Sequence, residues 1–212
     1  MFLRTMQCLL RLHEETAPKM TSNLRDRRRQ QTAREIQLAA LRLSIRSGYA
    51  AVTTDSIAAE AGISPRTFFN YYANKQAAVL GMPPQLEPCT ADWIVTSKGA
   101  LIDDLALLLG RMLELKDLDR QVVRMIEQVW DTTPELMAVF RNSMDNIALT
   151  IGGLLHARLG PDRQAEAMLI AELATHALSH AVRTWAGDET MTESDIPDML
   201  RQQMRQVGAL LT

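Results

Sequence analysis

Arg66, Thr67, Asn70 and Tyr71 fall on one side of a helix that opens at Ser64–Pro65. They form a hydrogen-bonding surface with one formal charge, and the chemistry it suits is the reading of base edges. An Arg guanidinium can bond guanine O6 and N7, an Asn amide can bond adenine, and a Thr methyl can meet the methyl of thymine. Phe68 and Tyr72 fall on the opposite side and give the same helix an inward anchor. Phe69 lies at the border, suited to packing on sugar or phosphate. Thr53 or Thr54, Lys75 and the arginines of 25–29 are better suited to phosphate oxygens, which set register without carrying sequence information. Ser64 and Pro65 complete the candidate DNA-binding set.

A helix that reads a groove needs a second helix to brace it across the backbone, joined by a tight turn. The stretch TTDSIAAEAGISPRTFFNYY, residues 53–72, supplies both. Thr53 and Thr54 are N-cap candidates for a short helix reaching Ala61, with Asp55 near its positive end. Gly62 can take the left-handed conformation that ends it. Ala58 and Ala61 allow close approach, and Ile57 and Ile63 fill the space between the helices. Upstream, a basic stretch leads into a helix of about 28–47, with Ile36, Ala40 and Leu43 at helical spacing and Gly48 as its stop. A fourth helix begins near Asn74–Lys75 and stops by Pro83–Pro84.

At these positions the chain resembles the TetR family of bacterial transcriptional regulators. The family pattern runs Thr-rich entry, Ile-Ala, Ala-Gly-Val-Ser, Thr-aromatic-Tyr-aromatic-Phe, then Lys. Here it reads Thr53-Thr54, Ile57-Ala58, Ala61-Gly62-Ile63-Ser64, Thr67 to Tyr72, and Lys75. Phe69 stands where the family more often has Tyr, so a hydroxyl that often reaches phosphate is missing. Tyr72 stands where Phe is usual, and its ring is expected to be buried with its hydroxyl satisfied. The match spans about residues 30–80. It implies an all-α fold, with a three-helix helix-turn-helix domain followed by a helical ligand-binding and dimerisation domain.

Charge divides the chain at the same place. Residues 1–80 carry 12 Lys or Arg against 6 Asp or Glu, whereas residues 81–212 carry 11 against 19. Only the N-terminal third is therefore expected to meet a polyanion. Low aromatic content and abundant Ala, Leu and Met favour helices, and no period-two strand pattern appears. Cys8 and Cys89 lie far apart without metal-ligand spacing, which makes a reducing cytoplasm the expected location. No stretch approaches the roughly 20 apolar residues that span a bilayer, so no membrane partner is expected. Met20 is a plausible start, which makes residues 1–19 an upstream extension. The expected divisions are an extension over 1–24, a DNA-binding domain over 25–80 and a helical domain over 81–212.

The proline-rich stretch GMPPQLEPC reads as the linker, followed by helices of about 97–116, 119–132, 134–159, 162–186 and 195–211. The third carries Leu136, Phe140, Met144, Ile147, Ile151, Leu154 and Leu155 at steps of three and four. The fourth carries Leu169, Leu173, Ala177, Val182 and Trp185. The resemblance implies a homodimer interface, best placed on 162–186 and 195–211. It also implies a cavity for a small effector, with Met112, Met125, Trp130, Met137, Phe140 and Met144 as lining candidates. Each could equally be ordinary core. Glu172, His176 and His180 lie four apart on one helix face, but nothing nearby completes a metal site. No catalytic constellation and no cofactor motif is present, so an enzyme is not expected.

The resulting expectation is a ligand-responsive regulator, most simply a repressor, released from a partly palindromic operator by an apolar or amphipathic ligand. Two alternatives stand beside it. The helical body could recruit a protein partner instead of sensing a small molecule, or the chain could be an all-helical enzyme with an incidental helix pair.

Overall fold

The computed structural model describes residues 20–81, 86, 91–114 and 118–210. Residues 1–19, Cys8, Cys89 and most of the expected linker lie outside the described residues. Every regular element described is helical: α1 (Met20–Ser47), α2 (Thr54–Glu60), α3 (Pro65–Phe69), α4 (Lys75–Leu80), α5 (Trp93–Thr96), α6 (Leu101–Glu114), α7 (Arg120–Trp130), α8 (Pro134–Leu159), α9 (Gln164–Gly187) and α10 (Ile196–Leu210). Short 3-10 turns precede α2, α9 and α10.

Helix α1 starts eight residues before the expected 28, because no Pro or Gly interrupts MTSNLRDR. It stops at Gly48, whose φ of 79° an L side chain rarely adopts. α8 has the bounds its periodicity predicts. The helix expected over 97–116 begins instead at Leu101 as α6, and the short α5, which was not expected, precedes it across a break at Ser97–Ala100. Arg158 near the end of α8 fixes that break. Its guanidinium donates to Asp104 Oδ2 and the Gly99 carbonyl, both at 2.7 Å, and to the Ile94 carbonyl at 3.3 Å.

Two apolar clusters organise the chain. The head cluster holds Ile36, Leu41, Ile57, Phe68 and Val79 from α1–α4, together with Val122 and Val129 of α7 and Leu136 of α8. The body cluster holds Leu105, Leu109, Ile151, Leu155, Leu178, Trp185, Ile196 and Leu200. The head core is thus completed by residues from beyond position 81. α7 serves both clusters, since its Val123 packs on the body cluster. Its N-cap Asp119 accepts from the Gln121 and Val122 amides and also pairs with Arg34 of α1. Toward the body, Arg120 donates to the Met191 carbonyl at 2.7 Å, and Arg124 pairs with Glu189 at 2.5 Å.

α9 runs between α7, α8 and α10. It turns small residues inward: Ala167, Ala171, Ala174, Ala177 and Ala181 are buried. Gly152 of α8 lies so close that a Cβ there would stand 2.2 Å from Met168 Sδ. This close packing pushes the larger Leu169 and Leu173 outward, 65% and 37% exposed. Their apolar spacing does not mark the core of this chain.

Candidate nucleic-acid interface

The helix pair is set by local chemistry. Thr53 caps α2: its hydroxyl accepts from the Ser56 amide while the Ser56 hydroxyl accepts from the Thr53 amide, closing a capping box. Thr54 is the first helical residue. At the other end the Ile63 amide donates to the Ala58 carbonyl and the Gly62 amide to that of Ala59. Gly62 sits at φ 67°, the left-handed position of a Schellman-type stop. Nothing lies within 4 Å of a Cβ at Gly62, so backbone conformation rather than space calls for glycine. Ser64 then caps α3, accepting from the Thr67 amide at 3.1 Å, and Pro65 occupies the first helical position.

α3 is anchored by Phe68, 0% exposed, and by Tyr72 just beyond its end. As expected, the Tyr72 ring is buried and its hydroxyl donates to the Ala33 carbonyl at 3.1 Å. Burial pushes the Tyr72 pKa up to about 12 from an ordinary value near 10. The folded head therefore holds this proton more tightly than the unfolded chain does. The associated stability is complete below pH 10, and about 2–3 kcal/mol of it is lost as pH rises to about 12. Tyr72→Phe should cost about 1 kcal/mol near neutrality through the lost hydrogen bond. The variant should then become the more stable protein at high pH. Urea unfolding between pH 8 and pH 12 tests this; parallel stability curves for the two proteins would contradict it.

The exposed surface of α3 is centred differently from the face expected from sequence. Arg66, Phe69 and Asn70, at i, i+3 and i+4, are all exposed, and Phe69 at 55% is the most exposed aromatic described. Thr67 and Tyr71 are half-buried. The Thr67 hydroxyl lies 2.8 Å from that of Ser64. The Tyr71 ring is covered by the Arg29 guanidinium, 5.2 Å from its centroid. Arg29 also reaches the Asn70 carbonyl at 3.4 Å, so α1 braces the end of α3. Phe69, assigned to the border from sequence, is exposed at the edge of this stripe, beside Arg66. The 66/69/70 spacing was visible in the sequence; the cover over Thr67 and Tyr71 was not.

Lys75, expected at phosphate, has an internal role. Its ammonium donates to the Tyr49 and Val52 carbonyls, each at 3.1 Å, and lies 4.3 Å from the Tyr49 ring centroid. Three donors on an ammonium leave one for a ligand. Arg25, Arg27 and Arg28 of α1 are exposed and form no ion pair among the described residues. Arg42 and Arg46 instead converge on Glu60.

The six lining candidates do not converge. Met112 is buried in the body cluster and Met144 packs on its edge. Met125 and Trp130 pack on the head cluster. Phe140 meets Trp130 at 4.4 Å between centroids, and Met137 is 37% exposed. An apolar groove of about 440 Å³ does occur elsewhere, between α6, α9 and α10, lined by Leu101, Ile102, Leu105, Ile170, Leu173 and Met204 among others. His176 and His180 are exposed on α9, and His180 Nδ1 meets Gln203 Nε2 at 2.9 Å. No group of three potential metal ligands gathers among the described residues. No described helix is long and apolar enough to cross a membrane.

Among curated proteins none matches the sequence. Solved structures with a similar chain path include a protein from Mesorhizobium loti assigned to the TetR family (16% identity, 86% of this chain and 98% of that one, TM-score 0.49). Others are the fatty acid degradation regulator FadR from Bacillus halodurans (14%, 80% and 94%, TM-score 0.48) and NalD, the secondary repressor of the MexAB-OprM multidrug efflux pump in Pseudomonas aeruginosa (17%, 82% and 95%, TM-score 0.46). Residues 36–80 match the family described as bacterial regulatory proteins, tetR family. That segment holds both caps, the Gly62 turn, the Phe68 anchor and Lys75, and over it the chain is similar to bacterial regulatory proteins of the tetR family.

Proposed function

We propose that the chain is a ligand-responsive transcriptional repressor that binds a partly palindromic operator as a homodimer. The observation that carries the reading is the exposed Arg66–Phe69–Asn70 stripe on a helix capped by Ser64 and held by a buried Phe68. Exposed arginines at 25, 27 and 28 supply sequence-independent attraction to phosphate. Leu169 and Leu173, outward on α9, supply apolar surface for a second copy. α7 supports coupling: its residues enter both cores, so a small effector that moves α7 against the body would re-aim the head. The alternative, a body that recruits a protein partner, is favoured by the separation of four of the six lining candidates between two cores, Met112 and Met144 on one and Met125 and Trp130 on the other.

Selection from a random duplex pool tests this reading. Two inverted half-sites about 34–36 Å apart, or somewhat more, are expected. Arg66→Ala or Asn70→Ala should cost about 1–3 kcal/mol and relax preference at one base position in each half-site. Sedimentation should find a dimer at micromolar concentration. A monomer that selects and binds such a site unimpaired would overturn the dimeric reading.

A further inference from the structure

We propose that Phe69 is a specificity-determining residue that reads the C5 methyl of thymine in the major groove. The inference rests on the DNA-binding reading above and deepens it. Phe69 lies three residues from Arg66 and beside Asn70, and all three are exposed on one face of α3. Phe69 borders Arg66 one turn along the helix, so when the guanidinium reaches a base edge the exposed ring faces the groove beside it. It has no polar atom, so it can neither bond a phosphate nor replace a base-edge donor. The one apolar group that a base pair presents in the major groove is the thymine methyl. The ring is also held in place from behind: Phe68, fully buried, meets it edge-on at 5.3 Å with an interplanar angle of 89°. A ring fixed in this way loses little freedom on meeting a methyl, whereas a free side chain would lose more.

The neighbouring Thr67 is the competing reader, since it also carries a methyl. Its hydroxyl is engaged with Ser64, and the residue is half-buried. That places its methyl less favourably than the exposed ring.

The test uses the duplex selected by the full chain. Each thymine in a half-site is replaced in turn by deoxyuridine, which deletes only the methyl, and affinity is measured for the wild type, Phe69→Ala and Thr67→Ser. Phe69 is solvent-exposed and Thr67→Ser keeps the hydroxyl that meets the Ser64 cap, so both variants should retain the fold; circular dichroism checks this. One position per half-site should weaken wild-type binding by roughly fourfold, the equivalent of one buried methyl. With both half-sites altered the loss should be on the order of 15-fold. The penalty should disappear in Phe69→Ala and persist in Thr67→Ser. If deoxyuridine is tolerated at every position, or if the penalty survives in Phe69→Ala, the proposal is overturned. If it vanishes in Thr67→Ser instead, the reader is Thr67 and the proposal also fails. A pool from which no sequence is enriched would strike at the DNA-binding reading itself, a distinct outcome.

Discussion

Phe68→Ala is expected to unfold the head. The side chain is 0% exposed and sits among Ile36, Ile57, Tyr72 and Val79 in the core that holds α3 against α1 and α2. Truncation removes a whole buried ring and leaves a cavity that helices this short have little means of closing, at a cost of about 3–5 kcal/mol. For a chain of this size the thermal midpoint should fall by roughly 10 °C or more. DNA binding should be lost for every sequence, because the reading helix is no longer held. Phe69→Ala, one residue away and exposed, should leave the midpoint within about 1–2 °C. Thermal denaturation of the two variants side by side separates anchor from reader. Equal shifts would show that the inward and outward sides of α3 are misassigned.

Leu136→Ala should damage the head from a distance in sequence. Leu136 stands in the first turn of α8, yet it is fully buried in the head cluster with Val122 and Val129 of α7. The expected cost is about 2–5 kcal/mol. Hydrogen exchange is the informative readout, since it reports opening element by element. Amides of α1 and α4 should lose protection together with those of α7 and the first turns of α8. The α9–α10 region, built on the other cluster, should keep most of its protection. Loss confined to α8–α10 would mean that the head closes its core without the body. Under that outcome α7 could not carry an effector's movement to the reading helix in the way proposed.

Residues that act on their near neighbours were legible in the sequence. The Thr53 and Ser64 caps, Gly62 at positive φ, Pro65 at the first helical position and Phe68 pointing inward each depend on groups within a few positions. Local hydrogen bonds, fixed φ values and helical periodicity are sufficient to specify them. The family pattern is legible for the same reason, because it is composed of such residues. The bounds of α8 followed from Pro134 at one end and Gly160–Pro161 at the other.

What tertiary structure decided was which partner each side chain met. Periodicity shows which side of a helix is apolar and is silent on what covers it. Thr67 and Tyr71 were placed on the outer face by angle alone. Thr67 is engaged locally by the Ser64 hydroxyl, whereas the Tyr71 ring is covered by Arg29, 42 residues upstream of it, which also reaches the Asn70 carbonyl. Lys75 was assigned to phosphate from sequence; the Tyr49 and Val52 carbonyls, more than 20 residues away, engage two of its three donors. The six lining candidates are apolar in sequence, but four of them are divided between two separate cores and Met137 is exposed. Leu169 and Leu173 share the spacing of core residues and lie outside it. The alanines on the other side of α9 let α8 approach closely, and burying small side chains at short range left the large ones facing solvent.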